Sequence, residues 1–154
     1  MSAEREHGFE LGTDGPRVIV AGLDGSESSW RAAAYAAGLA RRQNALLALV
    51  YVQPLSGSVA PGVGAAAVAS GQQLAEQLER EVREAAERSG WSRQLRWEFH
   101  TFPGEAYTGI AQAADQMRAD AVVIGASEQA GHRLVGSVAV RLVKHGRWPV
   151  TVVP

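Results

Sequence analysis

Cysteine is missing from the 154 residues, and that one absence removes disulfides, thiolate catalysis and cysteine-based zinc sites together. An excess of charge is missing too: Lys and Arg number 15 against 16 for Asp and Glu, a formal net charge of −1. Nothing in that balance draws the chain to DNA, RNA or acidic lipid, so no nucleic-acid or membrane partner is expected. The four histidines, His7, His100, His132 and His145, are scattered without ligand spacing. The opening residues MSAEREHGFELGTDG are polar and acidic and hold no apolar core region, which fits neither a signal peptide nor a membrane span. The expectation is a mobile tail over 1–15, one domain over 16–154 and a cytoplasmic location.

What is present is a globular composition, 46% hydrophobic and 20% charged. The run Arg17 to Leu23 is short and β-branched, and reads as a strand buried on both faces. Ser26 to Gln43 turns helical, with Trp30, Ala33, Ala34 and Ala37 spaced for one buried face. A second buried strand spans Ala45 to Val52. Leu55 to Gly71, rich in glycine, serine and proline, reads as a long loop or partly helical lid. A helix is expected from Gln72 to Arg88, with Leu74, Ala75, Leu78, Val82 and Ala85 inward. On its wet side Glu76 faces Arg80, Glu79 faces Arg83 and Glu84 faces Arg88. Arg93 to Phe102 alternates like an edge strand with one wet face. A helix from Glu105 to Met117 carries Ala106, Ile110, Ala113 and Met117 inward. Asp120 to Gly125 is again a buried strand; helix Ser137 to His145 and strand Trp148 to Val153 close the chain.

Strand and helix alternate throughout, which gives a parallel sheet with helices on both faces and right-handed crossovers. The two fully apolar strands that open each half become central neighbours. Between their carboxyl ends lies the switch point where such folds take ligands, with Asp24 and Gly125 at that crevice.

Several stretches resemble the universal stress protein family. They are Asp24-Gly25-Ser26 after the first strand, Pro103-Gly104-Glu105-Ala106, DAVVIGAS, Gly136-Ser137 and the ending from His145 to Pro154. Five such stretches in order, over nearly the whole chain from Arg17, make a fairly specific likeness. It implies a UspA-like, three-layer α/β/α fold, Rossmann-like and of the adenine nucleotide alpha hydrolase-like type. The five-stranded parallel sheet would run in the order 3-2-1-4-5. The likeness also implies a homodimer and, in one branch of the family, bound ATP. That branch carries Gly-x-x-Gly, nine residues, then Gly-Ser or Gly-Thr after the fourth strand. Here Gly125 and Gly136-Ser137 match, Glu128 stands at the second glycine, and 129–135 supply seven residues in place of nine.

The candidate ligand residues are Gly22, Leu23, Asp24, Tyr51, Gly125, Ala126, Glu128, Gly131, Arg133, Gly136, Ser137 and Val138. Asp24 is placed by the likeness to accept from ribose hydroxyls, or else it caps the first helix in a capping box with Glu27, Ser26 being the alternative cap. The backbone around Tyr51 offers an adenine edge; otherwise Tyr51 is ordinary core or rim. Gly136-Ser137 can hold an anion at a helix start, or is only an N-cap serine after a glycine. His132 and Arg133 can reach phosphate oxygens or simply be solvated. A carboxylate at Glu128, at about 5 Å from phosphate and an effective dielectric of about 20, repels by roughly 3 kcal/mol per unit charge. Mg²⁺ held by that carboxylate offsets this, so ATP is expected with magnesium if at all. Gly131 offers the tight turn of a shortened loop.

No G-x-x-x-x-G-K-[ST] occurs, no His-x-Gly-His, and no acidic cluster of the receiver type. Three readings follow. The first is a regulatory protein whose crevice senses a nucleotide or another small molecule. The second is a scaffold of the same fold acting through its surface. A slow ATPase or nucleotide transferase comes third. In each, the apolar last strand, Trp148 to Val153, leaves an unpaired sheet edge, and pairing it with its copy would bury Val150, Val152 and Trp148.

Overall fold

The computed structural model describes residues 15–54, 63–127 and 135–154, and of 63–68 the backbone alone. Its strands are β1 (Val18–Gly22), β2 (Leu46–Gln53), β3 (Arg96–Pro103), β4 (Ala121–Gly125) and β5 (Val150–Val153). Its helices are α1 (Glu27–Gln43), α2 (Val63–Ser89), α3 (Ala106–Gln116) and α4 (Ser137–His145), and a 3-10 turn, Trp91–Arg93, precedes β3. All pairings are parallel and the order is β3-β2-β1-β4-β5. β1 sits at the centre, where Val20 pairs with Ala48 on one side and Val122 on the other.

The near-continuous apolar character of β1, β2 and β4 follows from this position, because each of them has both faces covered. Ile19, Ala21, Leu47 and Leu49 pack under α1 and α2. Val20, Ala48, Val50 and Val122 pack under α3 and α4. β3 lies at one edge and alternates as expected: Leu95 is buried and Trp97 and Phe99 are half-buried, while Arg96 and Glu98 are exposed.

α1 starts at Ser26, whose hydroxyl oxygen accepts from the Ser29 N–H. It ends at Asn44, in the left-handed region at φ 53°, whose N–H is given to the Ala40 and Arg41 carbonyls. Its sheet-facing residues are Ser28, Ser29, Ala32, Ala33, Ala36 and Ala40. The face is thus rotated from the expected one: Ala34 is exposed, and Trp30 and Ala37 are only half-buried. The cause is polar. Ser28 is drawn inward to donate to the Ala126 carbonyl at 2.7 Å, and the Ser28, Ala32, Ala36, Ala40 row follows it onto the sheet.

α2 begins at Val63, nine residues before the expected start, so of the two readings of Leu55 to Gly71, long loop or partly helical, the helical one holds from Val63 on. Alanine-rich sequence carries a helix without needing periodic large residues. Gly71 does not interrupt it but lies against Gln53, where a Cβ would come within 2.7 Å of the Gln53 side chain. Residues 55–62, the rest of that segment, lie outside the described residues. Leu78 and Val82 are buried and Leu74, Ala75 and Ala85 half-buried, as expected. Of the three Glu–Arg pairs, Glu79–Arg83 closes at 3.2 Å; the other two form no ion pair among the described residues.

On α3, Gly109, Ile110, Ala113 and Ala114 face inward. Ala106 is exposed at the helix start and Met117, its C-cap, is half-buried, so the expected face is correct in its middle and not at its ends. Trp148 needs no second chain to bury it: it is 9% exposed, with the His145 ring stacked at 5.4 Å. Among the described residues no helix is long and apolar enough to cross a membrane.

Leu47, with no exposure on the central part of the sheet, and Tyr35, 51% exposed on α1, bracket the energetics. Leu47→Ala should lower the unfolding free energy by about 2–5 kcal/mol. Tyr35→Ala should stay within about 0.5 kcal/mol of wild type, both read by urea titration.

Candidate functional site

The order of connections reverses between β1 and β4, and beyond their carboxyl ends the crossovers leave in opposite directions. A cavity of about 630 Å³ opens there. One wall is the turn from β1 into α1, the opposite wall is the start of α4, and Val50, Val52 and Ile110 give the apolar side.

The first wall is a hydrogen-bonded turn. The Asp24 carboxylate accepts from the Ser26 N–H at 2.9 Å, and the Asp24 N–H is given to the Ser29 hydroxyl at 3.2 Å. Asp24 therefore braces the turn without capping the helix; Ser26 is the cap, and the capping box with Glu27 does not form. Desolvation pushes the Asp24 carboxyl up, but hydrogen bonds from Ser26 and then Ser29 outweigh it and hold the group below the ordinary carboxylate range. Asp24 is exposed at the rim, ionised, and retains acceptor capacity, since a carboxylate offers about four lone-pair sites.

The second wall depends on two glycines. A Cβ on Gly125 would lie 2.5 Å from the Ser28 carbonyl carbon, so only glycine lets α1 come this close to the end of β4. Gly136 is the N-cap of α4 at φ 42°, ψ 156°, and a Cβ there would meet Ser127 at 3.1 Å. Gly136 has no side chain with which to cap α4. Ser137 is thus the first helical residue, not the N-cap serine. The opening N–H groups of α4, at the positive end of its dipole, face a cavity wall with no carboxylate of their own first turn.

The structure brings together Gly22, Leu23, Asp24, Gly125, Ala126, Gly136, Ser137 and Val138 around one cavity. Tyr51 is not among the lining residues. Its side chain is buried on the α1/α2 face while its neighbours Val50 and Val52 turn to the cavity. Burial, and then the negative charge of Asp24, raise the Tyr51 phenol above its ordinary value. Glu128, Gly131, His132 and Arg133 lie outside the described residues. Sequence reading missed Ser28, Ser29 and Ser127, all lining the cavity. The clustered serines after Asp24-Gly25 were the signal available for the first two. Among the described residues no cluster of His, Cys, Asp or Glu has the makings of a metal site.

Ser26→Ala should cost about 1 kcal/mol, the value of an N-cap, whereas Ser137→Ala should be neutral or stabilise by a few tenths of a kcal/mol, since Ser137 is a helical residue and alanine is the better helix former. Because the folded Asp24 carboxyl lies below its unfolded value, its ionised form stabilises the native state. The stability gap between wild type and Asp24→Asn should be present above the ordinary carboxylate range. It should be lost as pH falls through the folded value, as measured by denaturant titration at several pH values.

Residues 16–154 match the model of the universal stress protein family. A universal stress protein of Methanocaldococcus jannaschii, MJ0531, is 32% identical over 144 residues, covering 89% of this chain and 81% of that protein. The universal stress protein UspA of Lactobacillus plantarum superposes with a TM-score of 0.77 at 22% identity, over 90% of this chain and 97% of that one. A universal stress protein solved in complex with cAMP superposes with a TM-score of 0.60 at 25% identity, over 90% and 97% of the two chains. The sheet order, the switch-point cavity and these matches agree, and the chain belongs to the universal stress protein family.

Proposed function

We propose that this protein is a regulatory binding protein whose switch-point cavity takes an adenine nucleotide with a single phosphate group, in preference to ATP. The observation that carries the reading is that an ionised Asp24 and the start of α4, whose N-cap is a glycine, face each other across one cavity of about 630 Å³. That size suits a small organic ligand. Asp24 accepts from the ribose hydroxyls, the main-chain N–H groups at Gly136, Ser137 and Val138 receive the phosphate, and Val50, Val52 and Ile110 line the base. The cAMP complex of a relative supports the nucleotide class. The sequence around the loop supports the single phosphate. Glu128 replaces a glycine and the loop is short, so each added phosphate charge meets more repulsion, and ATP needs Mg²⁺ to enter. The scaffold reading rests on that same glutamate and on the shortened loop, and an open cavity with Asp24 at its rim counts against it. The protein acts in the cytoplasm and performs no chemistry on the nucleotide in this reading.

The functional unit is a homodimer through β5. The strand is at the sheet edge. Large hydrophobics stand exposed on the neighbouring helix: Val140 and Val143 on α4, at 42% and 61%. α1 reaches this edge, where Arg31 Nε donates to the Pro154 carbonyl at 2.7 Å. Sedimentation at micromolar concentration should give twice the chain mass, and a monomer there would overturn the dimer.

Thermal melting tests the ligand. AMP or cAMP at about a hundred times its dissociation constant should raise Tm by roughly 5–10 °C. ATP without Mg²⁺ should bind more weakly, and Glu128→Gly should recover about a hundredfold in ATP affinity. No shift with any adenine nucleotide at millimolar concentration would put the scaffold reading first.

A further inference from the structure

The face of the sheet away from the nucleotide cavity carries a second opening, between α1 and α2. Where two packed helices ordinarily interlock large aliphatic side chains, the adjoining sides here hold Ala34, Ala37, Gly38 and Ala85. The gap is a groove of about 290 Å³ with Leu49 of β2 and Val82 at its base, exposed 1% and 2%. A Cβ built on Gly38 meets no atom within 4 Å, so the middle of α1 borders open space. Trp30 and Trp91 contribute indole rings to the lining. Along α1 the lining runs from Trp30 to Arg41, twelve residues separated by eleven helical rises and so about 16 Å.

Among the described residues Arg41 is the one charged member of this lining, and no acidic side chain shares it. Its guanidinium reaches Gln94 Oε1 at 3.5 Å, the limit of a hydrogen bond, and forms no ion pair with a carboxylate among the described residues. A groove of alanine, leucine and valine asks nothing polar of its occupant except at one end, where a fork of N–H donors asks for an anion. We propose that this groove binds an amphipathic monocarboxylate, with an aliphatic chain of medium length over the alanines and its carboxylate on Arg41. A protein partner fits less well. Of the exposed large hydrophobics Tyr35, Val135, Val140 and Val143, none lines the groove, so it has no broad apolar rim for a second chain to cover. The site is independent of the nucleotide reading, because Leu49 and Val82 belong to the core layer opposite the cavity's Val50 and Ile110.

Decanoate is the probe, decan-1-ol its uncharged counterpart, and tryptophan fluorescence the readout, with Trp30→Phe assigning the signal to the groove. Decanoate below its micellar range should change the emission saturably, and saturating AMP should leave its affinity unchanged. Arg41→Gln should weaken decanoate about tenfold or more, the loss of one charge-assisted contact, and alter decan-1-ol less than twofold. Gly38→Leu should fill the groove and abolish both signals while keeping a cooperative melt; Ala34→Leu serves the same purpose if that variant does not fold. Absence of a saturable change would overturn the proposal. So would equal binding by Arg41→Gln, persistence of binding in a folded groove-filled variant, or a fluorescence change traced to self-association by sedimentation.

Discussion

The fold and the cavity both depend on the approach of one main chain to another, where the first residues of α1 press on the end of β4. Gly125 leaves no Cβ in the way, and the Ser28 hydroxyl closes the contact on the Ala126 carbonyl. Ser28 is 2% exposed, and its hydroxyl also lies 3.4 Å from that of Ser26, so the contact belongs to a hydrogen-bonded cluster at the start of α1. A bulkier residue at 125 would have to lift α1 off the sheet. With α1 lifted, the Asp24 turn would swing from the mouth of β1, and the start of α4, tied to Ser127 through Gly136, would no longer face it. The site is therefore a consequence of packing before it is a matter of ligand chemistry. Its glycines are first explained by the space that the backbone needs.

Much of the fold was legible because central parallel strands cannot alternate. Val18 to Gly22 and Ala121 to Gly125 are apolar throughout, and only a strand covered on both faces tolerates that. The edge position of β3 was equally readable from the alternation of Arg96, Trp97, Glu98 and Phe99. What escaped were features with no periodic mark. α2 begins among alanines and glycines at Val63, where propensity favours helix but no stripe of large residues announces it. The face of α1 was misjudged because alanine follows alanine from 32 to 34, so the sequence leaves the rotation of the helix open. A serine 98 positions from its partner settles it.

The site was readable to the extent that turns announce themselves. Asp24-Gly25-Ser26 and Gly136-Ser137 stand at the ends of apolar strands or the starts of helices, and the topology carries both to one cavity. The division of labour within them was not readable. Asp24 and Ser26 are both good caps, and which one caps depends on the extended backbone at Ser26, φ −69°, ψ 155°, with Asp24 left to brace the turn from outside. Ser137 looked like a cap and is not one, because Gly136 takes that position. Tyr51 illustrates a parity effect. Side chains of a strand alternate between faces, so at the end of β2 the side chain of Tyr51 belongs to the other layer and those of Val50 and Val52 to the cavity.

The same composition of α1 that admits the close approach also leaves the helix incompletely covered. Alanine is the best helix former, so a run such as Ala32 to Ala37, broken only by Tyr35, holds its shape with little help from tertiary contacts. That lets one side, Ala32, Ala36 and Ala40, lie nearly on the sheet at no measurable exposure. On the adjoining side the same small residues fail to reach α2, and the gap down to Leu49 stays open. A leucine-rich α1 would close that gap but would also raise the helix and part Ser28 from Ala126. Close seating at one end and an apolar groove along the flank are thus two results of one choice of side-chain size. Enlarging residues on the groove side alone, at Ala34 or Gly38, is the substitution that separates them, because neither residue stands between α1 and the sheet.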